Sequence, residues 1–300
     1  MPIMPDGPDF ICIGTMKAGT GWLFDQLYGH PDFWMPPLKE IHYLHQPIPK
    51  LGNSLKFYER NRQQLVHDKG GRRRPLEQRD IAFLEELTGL AGHPRNYDAY
   101  AALFRHKGAK LSGDVSPTYC VMEGADIAAL AKRFPDTKII FMVRDPVART
   151  WSHICMNHRV GRFNERLLDN PKRFRKFLLK PILLNRLSYA TRIVEQWRTI
   201  APGLAFRTFL FDDLVSRPEH LRRTILQYLG ADEHKAGPRP PGENFKAQKR
   251  KLEISPEIRD LIVEGLAGEL RACADAFGGA AKSWAAQYGV RRQRGARIRE

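Results

Sequence analysis

The sequence contains few cysteines and no long apolar segment. The four cysteines, Cys12, Cys120, Cys155 and Cys273, lie far apart and form no C-x-x-C pair, which argues against a zinc site or a disulfide framework. No run of 18 apolar residues occurs, so no transmembrane helix is predicted. The first ten residues, MPIMPDGPDF, lack the basic and apolar regions of a signal peptide. We therefore expect a soluble, cytoplasmic protein with reduced thiols.

Acidic residues are also in deficit. The chain has 49 Lys and Arg against 33 Asp and Glu, a formal net charge of +16. Such an excess favours a polyanionic partner or an anionic ligand, and charge alone admits nucleic acid, an acidic membrane surface or a phosphorylated cofactor. With 300 residues, 42% of them hydrophobic, the chain is long enough to bury a large core. We expect one globular domain over residues 1–300.

Apolar runs and helical patterns alternate along the chain. The predicted strands are Phe10–Ile13, Phe33–Met35, Lys110–Val115, Lys138–Val143 and Phe206–Phe211. The predicted helices are Trp22–Tyr28, Tyr97–Phe104, Ala125–Phe134, a helix starting at Pro146 with Asp145 as N-cap, Leu187–Ile200 and Pro218–Leu229. Strands separated by helices predict an α/β fold of three layers, with a mainly parallel central sheet of about five strands and helices on both faces.

Two regions depart from this alternation. Residues 46–98 scatter proline and glycine among charges and contain the run Lys69–Pro75 (KGGRRRP), which predicts an inserted flap. That run is either a solvated basic loop or an acceptor-binding surface. The tail Arg291–Glu300 carries five arginines and almost nothing apolar, so we expect it to be frayed.

The loop GTMKAGTG follows the first predicted strand and precedes the first predicted helix. A strand, a glycine-rich loop and a helix form a phosphate-binding unit. Gly14 and Gly19 have the spacing of a Walker A loop, G-x-x-x-x-G-K-[ST], but threonine and glycine stand where that loop has its Lys-Ser/Thr pair. Lys17 lies inside the loop instead. The sequence therefore predicts a P-loop-like site for a 5′-phosphate whose reacting group is held by Lys17 without a metal.

A second candidate anion site follows the most apolar predicted strand. Arg144 comes directly after that strand, Ser152 lies eight residues further on, and Arg149 stands between them. A guanidinium fork and a hydroxyl suit a phosphate, although such a sequence is also typical of a charged helix start. Two anion sites, each after a buried strand, indicate a nucleotide phosphorylated at two positions.

These motifs resemble those of sulfotransferases that use 3′-phosphoadenosine 5′-phosphosulfate (PAPS). The stretch GTMKAGTGWL is similar to their 5′-phosphosulfate loop, and R-x-P-x-x-R-x-x-S from Arg144 to Ser152 is similar to their 3′-phosphate motif. Three further stretches resemble the carbohydrate-modifying, heparan-type branch: PLKEIHYL (Pro37–Leu44), GDVSPTY (Gly113–Tyr119) and FLFDDL (Phe209–Leu214). The resemblance runs in order from residue 9 to about residue 230.

The sequence also departs from the family pattern. The family loop often has Thr-Thr or Thr-Ser where this chain has Thr20-Gly21. The late Lys-Gly-Arg loop of the heparan-type enzymes has no clear match here, and only the basic run Lys246–Lys251 (KAQKRK) offers a substitute.

The resemblance implies PAPS as the cofactor, no metal, and sulfuryl transfer to a hydroxyl or amine of a carbohydrate, glycolipid or small-molecule acceptor. Lys17 is implied to stabilise the leaving phosphate oxygen. Glu40 is implied to be the general base; His42 competes with it, because an ordinary imidazole titrates near pH 6.5. Asp114 and Ser116 either contact the acceptor or brace the loop. The implied cofactor-binding residues are Lys17, Ala18, Gly19, Thr20, Gly21, Trp22, Arg144 and Ser152.

Two other functions remain as alternatives. A P-loop kinase acting on a small molecule would need magnesium and the missing Gly-Lys-Ser/Thr. A basic nucleic-acid-binding protein would interleave basic residues with exposed aromatics, whereas the aromatics here lie mostly in predicted strands and helices, so no nucleic-acid partner is expected. Peripheral contact with an anionic membrane surface, the oligomeric state and the identity of the acceptor stay open at this point.

Overall fold

The computed structural model describes residues 7–44, 76–90, 92–178, 189–235, 237, 239–243 and 252–291. The chain forms two compact units, one from Met1–Val143 with Gln196–Phe245 and the other from Arg144–Glu195 with Lys246–Glu300. The single-domain organisation stays a prediction. The basic runs 69–75 and 246–251, and the tail after residue 291, lie outside the described residues.

The helices and strands follow the predicted alternation. In chain order they are β1 (Phe10–Gly14), α1 (Thr20–Tyr28), α2 (Gln78–Gly89), α3 (Tyr97–Ala102), β2 (Gly113–Val115), α4 (Gly124–Arg133), β3 (Lys138–Val143), α5 (Pro146–Arg159), α6 (Pro171–Leu178), α7 (Ala190–Ile200), β4 (Phe206–Leu210), α8 (Phe211–Ser216), α9 (Pro218–Leu229), α10 (Pro256–Phe277) and α11 (Ala281–Gln287). Short 3₁₀ helices occupy Leu103–Lys107, Pro117–Val121 and Glu165–Leu167. No helix in the described ranges is both long enough and apolar enough to cross a membrane.

The sheet of the first unit is parallel, with strand order β2-β1-β3-β4. Strand β3, KIIFMV, lies between two neighbours and is buried along nearly its whole length, as a continuous apolar run in a parallel sheet predicts. The predicted mainly parallel α/β fold is confirmed. The described sheet has four strands rather than about five, because Phe33 forms only an isolated bridge with Leu111.

Helices α1 and α9 cover one face of this sheet. Their apolar residues pack with Cys12, Ile140, Met142 and Phe209 in one buried cluster. Helix α9 ends where predicted, at Gly230, whose φ of 84° is a left-handed conformation that glycine adopts readily. The register pairs Cys12 with Val115, so β1 and β2 end side by side, and the segments that follow them start at the same sheet edge.

The region predicted as a flap is described only from residue 76 onward, because residues 45–75 lie outside the described ranges. The described part contains α2, which buries Phe83 and Leu87. The buried carboxylate of Asp80 accepts a hydrogen bond of 2.9 Å from the indole of Trp34. This part is therefore a packed helix of the first unit.

The second unit is helical. Helix α10 packs against α5, α6 and α11. Asp145 is the N-cap of α5, as predicted: its carboxylate accepts hydrogen bonds from the amides of Val147 (2.8 Å) and Ala148 (3.3 Å). The same carboxylate accepts a hydrogen bond of 2.6 Å from the hydroxyl of Tyr288, which follows α11.

Candidate functional site

The loop between β1 and α1 begins and ends at glycines with positive φ. Gly14 has φ 143°, and a Cβ there would lie 2.7 Å from the carbonyl oxygen of Pro117. Gly19 has φ 96°, and a Cβ there would lie 2.8 Å from Cδ1 of Leu214 in α8. At Gly14 both the backbone conformation and the approach of a backbone atom disfavour a side chain, whereas at Gly19 the backbone conformation is the main constraint, because Cδ1 of Leu214 is the end of a flexible side chain. The glycines therefore let the loop pack directly against the 3₁₀ helix Pro117–Val121 and against α8.

Lys17 stands in the middle of this loop in a left-handed conformation, with φ 71°. The amide of the next residue, Ala18, donates a hydrogen bond of 3.2 Å to the carbonyl of Thr15, so this predicted phosphate-binding amide is already engaged inside the loop. Gly19 precedes α1 and supplies no side-chain cap. The first amides of α1 consequently receive no cap from Gly19 and, as in any helix, have no intrahelical acceptor, which is the usual basis for anion binding at a helix N-terminus.

Two predicted cofactor residues lie in the first turn of α1. Thr20 is buried, with 5% of its surface exposed. The half-buried indole of Trp22 donates a hydrogen bond of 2.8 Å to the carbonyl of Pro241, which ties the segment 239–243 to the start of α1. Contact of Trp22 with a nucleotide stays a prediction.

The second group of predicted site residues lies in the segment Leu38–Leu44. Glu40 and His42 both have a left-handed backbone, with φ 67° and 60°. One carboxylate oxygen of Glu40 pairs with the ammonium of Lys39, and the other lies 3.3 Å from Nε2 of His42. The carboxylate side chain is 40% exposed, whereas the His42 side chain is 14% exposed. The structure therefore brings the two candidate bases into direct contact and leaves Glu40 the more accessible of them.

Segment Leu38–Leu44 is fastened to the residues that follow β2. The amide of His42 donates to Oγ of Ser116 at 3.1 Å, and Nδ1 of His42 lies 2.9 Å from Oγ1 of Thr118. The Ser116 hydroxyl in turn donates to the carboxylate of Asp114 at 2.7 Å. Asp114 and Ser116 therefore brace the segment that carries the candidate base.

Asp114 is the buried centre of this bracing. Its second oxygen accepts hydrogen bonds from the hydroxyls of Tyr119 (2.8 Å) and Tyr100 (3.1 Å). Burial raises the pKa of the Asp114 carboxyl, and the hydrogen bonds from Ser116, Tyr119 and Tyr100 offset only part of that effect. All three hydroxyls donate their hydrogen bonds to this one carboxylate, which fixes the end of β2.

The environment of Glu40 keeps its carboxylate ionised. Burial alone would raise its pKa, but the hydrogen bond from His42 and the charge and hydrogen bond of Lys39 outweigh burial and hold the pKa of Glu40 at about 2. At neutral pH the group is an anion that can accept hydrogen bonds but donates none.

The charges of Lys39 and Glu40 also affect the thiol of Cys12 in β1. Burial raises the pKa of the Cys12 thiol to about 12, and the charges of Lys39, Asp114 and Glu40 also act on it. Cys12 lies two residues before Gly14, where the phosphate-binding loop begins. The segment that carries Lys39 and Glu40 is bonded to Ser116 directly after β2, and the loop of Lys17 directly follows β1. The two therefore lie at the same end of the parallel sheet, which is where open α/β folds bind their ligands.

The remaining predicted residues, Arg144 and Ser152, belong to the second unit. Arg144 follows β3 directly and Ser152 lies within α5, and both are half-buried. The first amides of α5 are capped by Asp145. If a phosphate binds here, it is therefore bound by the side chains of Arg144 and Ser152 rather than by the helix terminus.

Sequence reasoning missed Thr118 and Tyr100, whose roles depend on contacts distant in sequence. The threonine stands at the position that the family pattern G-[ED]-x-[ST]-P-x-Y leaves unspecified, and its contact with His42 spans 76 positions. Within the described part of the chain, no group of three or more His, Cys, Asp or Glu side chains is arranged to hold a metal ion.

Comparison with known proteins identifies the family. The model of the Sulfotransferase family matches residues 8–235. Among solved structures, the chain is similar to a sulfotransferase from Alicyclobacillus acidocaldarius, with 20% identity, a TM-score of 0.63 and coverage of 94% of this chain and 99% of that one. The sulfotransferase domain of an olefin synthase from Synechococcus PCC 7002 has 17% identity, a TM-score of 0.47 and coverage of 88% and 96%. No curated protein matches the chain. Since the family match spans most of the sequence, the chain belongs to the sulfotransferase family.

Proposed function

We propose that the protein transfers the sulfuryl group of PAPS to a hydroxyl group of a carbohydrate or glycoconjugate. The observation that carries this proposal is the backbone of three residues. Among the described residues, the non-glycine positions with a left-handed backbone are Lys17, Glu40 and His42. Such conformations cost on the order of 1–3 kcal/mol each and cluster at functional sites. These three are also the residues to which the family resemblance gives catalytic roles.

The phosphate-binding loop suits the 5′-phosphosulfate of PAPS. PAPS, when bound, supplies the sulfuryl group and leaves as 3′-phosphoadenosine 5′-phosphate. The uncapped amides at the start of α1 bind the 5′-phosphate. Lys17 stabilises the negative charge that grows on the phosphate oxygen as its bond to sulfur breaks.

Glu40 takes the proton of the acceptor hydroxyl in this proposal. Its carboxylate is ionised and 40% exposed, and each oxygen keeps a lone pair beyond its contact with Lys39 or His42. The His42 side chain is only 14% exposed, and each of its ring nitrogens is engaged by a protein group. A pKa of about 2 makes Glu40 a weak base. In a loose transition state the acceptor oxygen becomes strongly acidic only as its bond to sulfur forms, so a weak base accepts the proton at that late stage.

Arg144 and Ser152 bind the 3′-phosphate in this proposal. The always-charged guanidinium supplies paired donors and the hydroxyl adds one more. The carbohydrate acceptor is supported by the likeness of the Pro37–Leu44 and Gly113–Tyr119 stretches to those of carbohydrate-modifying sulfotransferases.

The test is transfer of radiolabelled sulfate from PAPS to a panel of saccharides, phenols and simple alcohols. Glu40→Gln is expected to lower turnover by roughly 10²- to 10⁴-fold, the usual contribution of a general base, with unchanged affinity for 3′-phosphoadenosine 5′-phosphate. His42→Gln is the matched comparison. Undiminished turnover in Glu40→Gln would assign the base to His42, and sulfation of phenols alone would refute the carbohydrate acceptor while leaving sulfuryl transfer intact.

A further inference from the structure

The two ring nitrogens of His42 have chemically different partners. Nε2 lies 3.3 Å from the carboxylate of Glu40, and Nδ1 lies 2.9 Å from the hydroxyl oxygen of Thr118. An ionised carboxylate can only accept a hydrogen bond, so Nε2 must carry the proton. In the neutral imidazole Nδ1 then has a lone pair, and the Thr118 hydroxyl donates to it.

The position of Thr118 is fixed from both sides. Ser116, two residues before Thr118, donates its amide proton to the carbonyl of Cys12 at 3.1 Å. The following residue, Tyr119, donates its hydroxyl proton to Asp114 at 2.8 Å and accepts a hydrogen bond of 3.2 Å from the amide of Leu44. The threonine hydroxyl is therefore presented to His42 by a 3₁₀ helix that is bonded to β1, to β2 and to the far end of the base-carrying segment.

We infer that Thr118 is a positioning residue for sulfuryl transfer, because its hydroxyl bonds to Nδ1 of His42 and so holds the ring with its Nε2–H toward the carboxylate of Glu40. The carboxylate selects the Nε2-protonated tautomer, whereas the threonine hydroxyl fixes the orientation of the ring. The catalytic part of this inference rests on the proposed role of Glu40, whereas the hydrogen bond to Nδ1 can be tested without any activity.

The primary experiment is ¹⁵N–¹H NMR of the histidine rings at about pH 8.5, above the ordinary imidazole pKa of about 6.5. The signal of His42 is identified by its loss in His42→Gln. Wild type and Thr118→Ser, which keeps a hydroxyl, are expected to show a protonated Nε2 and an Nδ1 whose ¹⁵N signal is shifted upfield by an accepted hydrogen bond. Thr118→Val, which replaces the hydroxyl by a methyl group of similar size, is expected to keep Nε2 protonated but to show the Nδ1 signal of a ring nitrogen that accepts no hydrogen bond.

Turnover supplies the second readout. Thr118→Val is expected to lower kcat about three- to tenfold, the effect of one hydrogen bond, with unchanged affinity for 3′-phosphoadenosine 5′-phosphate and recovery in Thr118→Ser. Thr137→Val is the matched control, because Thr137 also donates a buried hydrogen bond, of 2.7 Å to the carbonyl of Pro8, and does not contact His42. Its His42 signal is expected to match wild type.

The inference is overturned if Thr118→Val keeps the wild-type Nδ1 signal, or if Thr118→Ser is as slow as Thr118→Val. Thr118→Ala repeats both measurements should valine disturb the packing. A wild-type protein with a hydrogen-bonded Nδ1 that transfers no sulfate from PAPS would refute the proposed function and leave the contact between Thr118 and His42 standing, so the two failures are distinguishable.

Discussion

Replacing Lys39 by methionine should move the acid limit of activity to higher pH. Lys39 pairs with Glu40 and is one of the two groups that hold the pKa of Glu40 at about 2 against the effect of burial. An opposite charge at such short range lowers a carboxyl pKa by about 1–3 units. Removing it therefore takes the pKa of Glu40 to between about 3 and 5. Since the ionised form is the active one, activity is lost as pH falls through that higher value.

The assay is the pH dependence of kcat/KM across the range in which the protein stays folded, combined with an NMR titration of the Glu40 carboxyl carbon. Lys132→Met is the matched control, because Lys132 is exposed in the last turn of α4 and its loss changes the net charge equally. We expect the control to titrate like wild type.

Two results would refute this reasoning. An unchanged Glu40 titration in Lys39→Met would mean that the ammonium does not control the carboxylate. An equal shift in Lys132→Met would mean that overall charge, rather than the Lys39–Glu40 contact, sets the pKa.

Two further predictions concern the frame of the site. Gly14→Ala is expected to lower the free energy of unfolding by about 1–3 kcal/mol and to weaken nucleotide binding, because the added Cβ would meet the Pro117 carbonyl. Urea denaturation checks this against Gly92→Ala, since Gly92 has φ 82° but, among the described residues, no neighbour within 4 Å of an added Cβ. Equal losses in the two variants would contradict the role of the close approach. Asp114→Ala is expected to cost at least about 3 kcal/mol, since three hydroxyls lose their buried acceptor; a thermal-unfolding midpoint within a degree or two of wild type would show that those hydrogen bonds contribute little.

Elements with a strong local signal could be predicted from the sequence. The run KIIFMV is the strand Lys138–Val143 with both ends as predicted, because an uninterrupted apolar run of that length fits a buried parallel strand. The helix Pro218–Leu229 also has both predicted ends, since proline favours the first helical position and Gly230 the left-handed C-cap. Asp145 as N-cap follows from the same kind of local chemistry.

The size of the sheet depended on non-local pairing and was predicted less well. Phe33 makes a single bridge with Leu111, and a strand at this point cannot continue past Pro36 and Pro37, which have no amide proton to donate. The predicted strand from Lys110 is shorter in the structure and covers Gly113–Val115, the residues that pair with β1. Propensity alone gives no information on how far two strands stay paired.

In the candidate site, too, some features have a local sequence signal and others depend on non-local contacts. Lys17, Glu40 and His42 were selected by loop spacing and by family resemblance. Their left-handed backbone was not predictable, because lysine, glutamate and histidine seldom adopt it. The contact between His42 and Thr118 depends on where β1 and β2 end in the sheet, which only the assembled fold determines.

The central claim of the proposal is that the protein binds a nucleotide phosphorylated at both the 5′ and 3′ positions without a metal. The most direct measurement is calorimetric titration with 3′-phosphoadenosine 5′-phosphate in EDTA, compared with ADP in EDTA and with ATP and magnesium. We predict tight, metal-independent binding that weakens about 10- to 100-fold when the 3′-phosphate is absent, the effect of losing charge-assisted hydrogen bonds. Binding of ATP with magnesium in preference to 3′-phosphoadenosine 5′-phosphate would contradict the account and identify the loop as that of a kinase.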